Sequence, residues 1–337
     1  MVQNRYSVTS ATSKLRAPVS DHKSIEKKLQ EKTKDNNQMP SGKRKPINLY
    51  GPPGIGDLLW LLQMMYPNTD RDFNVFSWER PTVSSPMLLD LDRIKSVKNF
   101  KDPFKSYSEY KNFCNEKYKT YKNMTAEQIN DLDDIYLEAN TFLENGNRLE
   151  KYLPNLKPQF QMPWKTDKKQ EKEVEKLIGD SNTILLYTSS VKNNLVKPLM
   201  GSWNFDSWIK LVSLIFKTFP NIKIVWVGSN YDTDAMDLLK EKFPDELISY
   251  YVDKPATFLL PLMKKSKCFL SYQSGLSCIS MSEYIPTLMF YFSTLRNLPK
   301  SICPPDSVDN SYMYNPIFFD QANIDEILRW IEPHLEF

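Results

Sequence analysis

The stretch INLYGPPGIGDLLWLL, residues 47–62, combines closely spaced glycines with a carboxylate at Asp57. A short apolar run, a Gly/Pro turn and an apolar helical pattern follow one another there, which predicts a strand, a tight loop and the start of a helix. The start of a helix exposes backbone N–H groups that bind an anion or a polar ligand. This loop is therefore the first candidate site, and Asp57 is its candidate for acid–base chemistry.

Gly51 and Gly56 have the spacing of a phosphate-binding P-loop. In a P-loop the next two positions are Lys and Ser or Thr, which bind phosphate and magnesium. Here they are Asp57 and Leu58, and an aspartate repels the phosphate that the lysine attracts. The sequence therefore argues against a P-loop NTPase. Because Asp is a preferred N-cap residue, a structural interpretation of Asp57 as a helix cap stands beside the catalytic one.

Histidine is scarce, since only His22 and His334 are present and both lie near the termini. This argues against a mechanism based on Ser-His-Asp or Cys-His and leaves a carboxylate as the expected general base. The cysteines show neither CxxC spacing nor partner histidines, so neither a disulfide framework nor a zinc site is indicated, and a reducing cytosol suits them. They are Cys114, Cys268, Cys278 and Cys303.

The chain of 337 residues is long enough for two domains, and two domains form a cleft. Its 41% hydrophobic and 13% aromatic residues can build real cores, and a net charge of +3 does not indicate nucleic acid as a partner. The sequence contains no apolar run near the ~20 residues that span a bilayer, and its N-terminus lacks the apolar centre of a signal peptide. We therefore expect a cytoplasmic protein with no membrane span.

Changes in composition divide the chain. Residues 1–46 are polar and basic and are predicted to be a mobile tail. The predicted first domain is residues 47–160, with a helical insertion over residues 100–132. Prolines and charges mark residues 161–182 as a linker, and residues 183–337 form the predicted second domain.

The first domain carries strand patterns at residues 73–78, 86–91 and 134–140. The aromatic residues of its insertion either stack on sugar rings or pack an irregular helical segment. Asp90-Leu91-Asp92 follows an apolar run and imitates the metal-binding Asp-x-Asp of metal-dependent glycosyltransferases. The same pattern recurs at Asp232-Thr233-Asp234. A short pattern of this kind also occurs by chance.

The second domain alternates strand and helix patterns, which predicts an α/β fold with a parallel sheet. The strands are predicted at residues 183–188, 222–227, 247–252, 268–272 and 287–292, and the helices at residues 205–219, 235–243 and 256–264. Such a sheet binds ligands at the carboxyl ends of its strands, which here are rich in Ser, Thr and Gly. The candidates there are Thr188, Ser189, Ser190, Lys192, Gly228, Asp232, Gln273, Ser274, Gly275 and Leu276.

Four segments, in order, resemble the heptosyltransferase-like glycosyltransferases of glycosyltransferase family 9. GIGD followed by LLWLL resembles the N-terminal loop of that family. Ser202-Trp203 with Trp208 resembles its KxW…W segment, and IVWVGSNYD at residues 224–232 resembles its apolar strand ending in Gly. QSGLS at residues 273–277 resembles its D[ST]GxxH loop. The resemblance covers roughly residues 47–330.

The resemblance implies two Rossmann-like domains facing a cleft, the GT-B type. It also implies metal-independent, inverting transfer of a hexosyl or heptosyl group from a nucleotide sugar, with no other cofactor, to an acceptor hydroxyl such as that of a glycan. In the family the loop aspartate faces the acceptor sugar, so Asp57 is the expected base and Gly54 and Gly56 form the acceptor-side loop. Glu283, in the helix after QSGLS, either reaches the donor ribose or is a surface glutamate.

The sequence also departs from the family pattern. The family's lysine before the first Trp falls on Gly201. The aspartate that begins its D[ST]GxxH loop falls on Gln273, and the histidine that ends this loop falls on Cys278. Lys192 or Lys197 is a candidate for the missing cation. These departures leave the nucleotide open. They also leave two alternatives, an inactive binding module of the same fold and another nucleotide-dependent α/β enzyme.

Overall fold

The computed structural model describes residues 44–79, 86–138, 153–188, 205–272, 274–290, 311–314 and 321–335. Its strands form two fully parallel sheets. The first sheet has the order β3-β2-β1-β4, with β1 (Ile47–Gly51), β2 (Phe73–Trp78), β3 (Ile94–Phe100) and β4 (Asp134–Tyr136). The second has the order β10-β9-β8-β5-β6-β7, with β5 (Asn182–Tyr187), β6 (Ile222–Gly228), β7 (Ile248–Val252), β8 (Cys268–Tyr272), β9 (Thr287–Phe290) and β10 (Ser311–Tyr314).

Helices connect the strands. They are α1 (Ile55–Met65), α2 (Tyr107–Tyr121), α3 (Ala126–Asn130), α4 (Lys168–Ile178), α5 (Phe205–Thr218), α6 (Thr233–Lys242), α7 (Ala256–Lys265), α8 (Gly275–Ser282) and α9 (Gln321–Ile331). Short 3-10 helices occur at Tyr66–Asn68, Pro86–Asp90, Asn230–Asp232 and Glu332–His334. Within the described ranges, every helix is too short or too polar to cross a membrane.

In the first sheet β1 alternates buried and half-buried residues, as expected of a strand whose two faces differ. Ile47 and Leu49 are fully buried, as are the α1 residues Leu58 and Leu61, and all four belong to one apolar core. Burying a side chain of this size contributes roughly 1.5–3 kcal/mol. The β1–loop–α1 unit that the sequence predicts is therefore confirmed, and its helix is anchored along most of its length.

The prediction of a strand over residues 86–91 is wrong, because Pro86–Asp90 is a 3-10 helix. Leu88 and Leu91 are both buried and lie three residues apart, which is the period of a 3-10 turn. The third strand of the sheet is instead β3, whose sequence IKSVKNF is mostly polar. β3 occupies the edge of the sheet, where exposed lysines are common.

The helical insertion that was predicted at residues 100–132 contains α2 and α3. Its aromatic residues Phe104, Tyr110 and Phe113 are buried in a cluster that also contains Trp78 and Tyr136. The rings of Trp78 and Tyr110 stack with their centroids 5.4 Å apart. These buried rings support the interpretation of the insertion as aromatic packing, because neighbouring side chains already cover them.

The second sheet follows the predicted alternation of strands and helices, and the element limits differ from the predicted ones by only one or two residues where both are described. β5 and β8 are buried over nearly their whole length, as expected for a parallel sheet covered on both faces. The predicted linker at residues 161–182 contains a helix, α4, which packs on α7. Glu175 forms an ion pair with Lys265 across this contact at 3.2 Å.

Most of the predicted tail, residues 1–43, lies outside the described residues. Residues 139–152, within the predicted first domain, also lie outside the described residues. The predicted domain boundaries themselves stay predictions.

Candidate functional site

Each sheet has one point where the order of its strands reverses. In the first sheet the chain runs from β1 to β2 and β3 on one side and then places β4 on the other side of β1. In the second it runs from β5 to β6 and β7 and then places β8 on the other side of β5. Open parallel sheets bind ligands in the crevice at the carboxyl ends of the strands beside such a reversal. The candidate site therefore includes the loops after β1, β5 and β8.

The loop after β1 depends on its glycines. Gly54 has φ +110° and precedes α1 as its N-cap residue, and this backbone region is essentially restricted to glycine. A Cβ atom on Gly51 would lie 2.4 Å from Leu58 Cδ2, so the end of β1 touches α1 closely. The two glycines allow the chain to turn tightly from the strand into the helix.

Asp57 is the third residue of α1. The alternative that it caps the helix as the N-cap residue is wrong, because Gly54 holds that position and has no side chain. The Asp57 carboxylate turns back over the loop, with Oδ2 3.5 Å from the position of a Cβ on Gly54. Asp57 is half-buried, and its charge in the first turn is favoured by the helix dipole.

The loop after β8 starts α8 with a capping box. The Ser274 hydroxyl accepts from the Ser277 N–H at 3.2 Å, and the Ser277 hydroxyl accepts from the Ser274 N–H at 2.9 Å. The N–H groups of Ser274 and Ser277 are thus hydrogen-bonded within the loop. Gly275 and Leu276 are the first two residues of the helix, so their N–H groups have no acceptor within it.

The starts of α1 and α8 meet in the cleft. A Cβ on Gly275 would lie 1.9 Å from Ile55 Cγ2, and a Cβ on Gly56 would lie 3.1 Å from Cys278 Sγ. Any larger side chain at Gly275 would therefore displace α1. The structure brings Gly56 of the predicted acceptor side into contact with Gly275 of the predicted donor side.

Two further residues that were predicted to bind the nucleotide sugar lie at the ends of β5 and β6 and pack within the second domain. Thr188 is buried, and its hydroxyl accepts from the Trp226 indole N–H at 3.2 Å. Gly228 leaves room for the same indole, since a Cβ there would lie 2.3 Å from the ring. Both residues shape the edge of the sheet beside the reversal point.

Asp232 is fully buried after β6. Burial raises the pKa of its carboxyl to about 6, although donation from the Ser229 N–H and, more weakly, from the Tyr187 hydroxyl opposes this shift. The Ser229 N–H lies 3.1 Å from Oδ2, so the carboxylate holds its own 3-10 turn together. Asp232 thus helps to build the wall of the crevice.

Glu283 lies at the far end of α8, where it is the C-cap residue. Its carboxylate is almost fully buried and pairs with Lys264 Nζ at 3.0 Å, so it is not a surface glutamate. A helix of this length places its two ends ~12 Å apart. Glu283 is therefore not adjacent to the Ser274 loop, and the other predicted donor residues, Ser189, Ser190, Lys192, Lys197 and Gln273, lie outside the described residues.

Glu138 was not singled out in the sequence. It follows β4 at the reversal point of the first sheet and is 1% exposed. The Tyr107 hydroxyl donates to its Oε1 at 2.7 Å, which joins α2 to the end of the sheet. The signal that was available is a glutamate directly after a buried strand in DIYLE, at an edge where ligands bind.

Neither Asp-x-Asp pattern forms a metal cluster in the part of the chain that the structure describes, where no group of three potential ligands converges. Asp90 instead accepts from the Ala256 N–H at 2.8 Å.

The architecture matches solved glycosyltransferases. The ADP-heptose LPS heptosyltransferase II of Escherichia coli superposes with a TM-score of 0.53 at 11% identity, covering 86% of this chain and 98% of that one. A family 9 glycosyltransferase of Veillonella parvula gives 0.51 at 11% identity, covering 87% and 92%. The protein has the GT-B fold of these enzymes. The sequence matches no protein-family model and no curated protein.

Proposed function

We propose that the protein is a glycosyltransferase that moves a sugar from a nucleotide-sugar donor to an acceptor hydroxyl, with inversion and without a metal ion. The observation that carries this proposal is the contact between the start of α1, which bears Asp57, and the capped start of α8. This contact joins the reversal points of the two sheets, where the GT-B fold holds its cleft. The half-buried Asp57 carboxylate lies beside that contact.

Asp57 is the proposed general base. The acceptor oxygen attacks the anomeric carbon from the face opposite the leaving group, and its proton passes to the Asp57 carboxylate. The bond between the anomeric carbon and the diphosphate oxygen breaks, and the electron pair leaves with the nucleoside diphosphate. The products are an inverted glycoside, a nucleoside diphosphate and the protonated carboxyl, which then releases its proton to water.

The departing diphosphate needs stabilisation of its charge. The N–H groups of Gly275 and Leu276 point out of the start of α8 and are available for this, since the capping box uses those of Ser274 and Ser277. Lys192 or Lys197 is the proposed source of a cation. The nucleotide is accordingly placed on residues 183–293.

An inactive binding module of the same fold is the second candidate. The Thr188 hydroxyl and the Asp232 carboxylate are hydrogen-bonded within the protein, so fewer polar groups remain to bind a nucleotide sugar. This observation favours the binding module. A metal-dependent transferase would differ from both in losing its activity to EDTA.

Mass-spectrometric screening of the purified protein against UDP-, GDP-, ADP- and dTDP-sugars, with and without EDTA, tests the proposal. We expect hydrolysis or transfer of one donor that is unchanged by EDTA. Activity abolished by EDTA would contradict the metal-independent mechanism. Absence of both turnover and nucleotide binding would favour the binding module, and nucleotide bound only to residues 47–160 would refute the placement of the donor.

A further inference from the structure

Asp90 of the first domain bonds directly to the second domain. Its Oδ2 accepts from the backbone N–H of Ala256 at 2.8 Å, across 166 residues of sequence. Asp90 ends the 3-10 helix Pro86–Asp90, and Ala256 is the first residue of α7. One carboxylate thus joins an element of the first sheet's domain to a helix of the second.

The start of α7 lacks a side-chain cap of its own. Its N-cap residue is Pro255, which has no side-chain oxygen and no N–H group. The backbone oxygen of Pro255 accepts from the N–H groups of Phe258 and Leu259. The N–H of Ala256, the first of the helix, has no acceptor within the helix. Asp90 supplies the missing acceptor from the other domain, and a carboxylate at a helix start is also favoured by the helix dipole.

The same turn also holds the connection between the domains. The Lys165 N–H donates to the Asp90 carbonyl oxygen at 2.7 Å, and the Asp92 N–H donates to the Pro163 carbonyl oxygen at 3.1 Å. Leu91 and Trp164 form an antiparallel bridge between these two bonds. The chain that leaves the first domain is therefore fixed to the turn whose carboxylate reaches α7.

We propose that Asp90 is a positioning residue that holds the two domains in the orientation in which the starts of α1 and α8 meet. Without the Asp90 carboxylate, α7 loses this hydrogen bond to the first domain and the cleft opens. The role follows from the contacts of Asp90 alone and does not depend on the proposed glycosyl transfer. It also gives the Asp-Leu-Asp pattern a use other than metal binding.

Three cysteines of the described residues are free thiols, and their reactivity reports on the opening of the cleft. Cys278 lies at the contact between the domains, facing Gly56. Cys114 is buried in the aromatic cluster of the first domain, and Cys268 is buried in β8 of the second. Opening of the cleft exposes Cys278, whereas unfolding of either domain exposes Cys114 or Cys268.

The test compares rates of alkylation by N-ethylmaleimide, located by mass spectrometry, in the full chain without substrate. In Asp90→Ala we expect labelling of Cys278 to accelerate about 10-fold or more, the factor expected from losing a hydrogen bond to a charged group, with Cys114 and Cys268 unchanged. Asp90→Asn keeps an acceptor oxygen and should restore most of the protection. The exposed Asp92, two residues away, provides the matched control Asp92→Ala, which should label like the wild type.

A second variant removes the other atom of the same bond. Proline is well tolerated as the first residue of a helix, and Ala256→Pro deletes the N–H group while leaving Asp90 in place. It should accelerate the labelling of Cys278 as Asp90→Ala does. An unchanged rate at Cys278 in both variants, or equal acceleration at all three cysteines, overturns the proposal.

Discussion

The two helix starts that meet in the cleft are built differently. α8 begins with a capping box in which Ser274 and Ser277 satisfy each other, so its first turn is closed and self-supporting. α1 begins at Gly54, which has φ +110° and no side chain, and carries its carboxylate in the third position. The second domain therefore offers a fixed set of N–H donors, whereas the first offers an acid–base group on a glycine turn.

The predicted site residues Thr188, Asp232 and Asp57 follow the same division. In the second domain Thr188 and Asp232 are fully buried and bonded within their own sheet edge. In the first domain Asp57 is half-exposed at the cleft. Polar groups of the second domain thus build the wall of the site, and changes there should affect stability and affinity more than the chemical step.

The largest effect is expected at Asp57. Asp57→Asn keeps the size of the side chain and removes the proton acceptor, so turnover should fall ~100-fold or more. Donor binding and melting temperature should change little, because asparagine keeps the size of the side chain and an oxygen that accepts hydrogen bonds, and Asp57 is not the N-cap residue. The measurement is steady-state transfer with the donor found by screening. Near-normal turnover would leave Asp57 with only a structural role at the start of α1.

Asp232 should make stability depend on pH. Its pKa in the folded protein is raised to about 6 from an ordinary value of 3.8, so the folded state binds the proton more tightly than the unfolded state. The free energy of unfolding should therefore decrease as pH rises from about 4 to about 6, by up to about 3 kcal/mol.

Asp232→Asn should flatten this slope in urea unfolding measured at several pH values. The matched control is Asp237→Asn on the exposed surface of α6, which should keep the slope of the wild type. An Asp232→Asn slope equal to that of the wild type would assign the pH dependence to other groups.

Gly54→Ala should lower the free energy of unfolding by about 2 kcal/mol, because φ +110° is strained for any residue with a Cβ. Gly179 also has a positive φ, +57°, at the end of α4, and Gly179→Ala serves as the control. The melting temperature should fall in both variants, whereas the rate of sugar transfer should decrease only in Gly54→Ala. Equal turnover in the two variants would show that the shape of the α1 turn does not matter for catalysis.

The smallest effect is expected for Ser274→Ala, which removes a helix cap and should lower stability by about 1 kcal/mol. Ser106 caps α2 in the first domain and accepts from the Glu109 N–H, so Ser106→Ala is the matched control. Both variants should lose similar stability in thermal melts. Nucleotide affinity, measured by calorimetry, should weaken only in Ser274→Ala, and equal affinity would speak against a donor site at α8.

The alternation of strands and helices in the second domain could be predicted because buried parallel strands are continuous apolar runs, such as TILLY and CFLSY, bounded by polar or turn residues. The first domain was harder. The edge strand β3 is mostly polar, and the spacing of Leu88 and Leu91 suits a 3-10 turn where a short strand was expected. Local patterns do not separate these cases when a segment is short.

Local patterns were enough to predict which residues end strands and start helices, and so they identified the two segments that carry Asp57 and Ser274. Three long-range contacts are visible only in the folded chain: Gly56 touches Gly275, the Tyr107 hydroxyl donates to Glu138, and Asp90 accepts from the Ala256 N–H. The physical reason is that a periodic pattern specifies which face of an element is buried but not which distant element covers it. Contacts such as that of Asp90 with Ala256 exist only once both domains have packed.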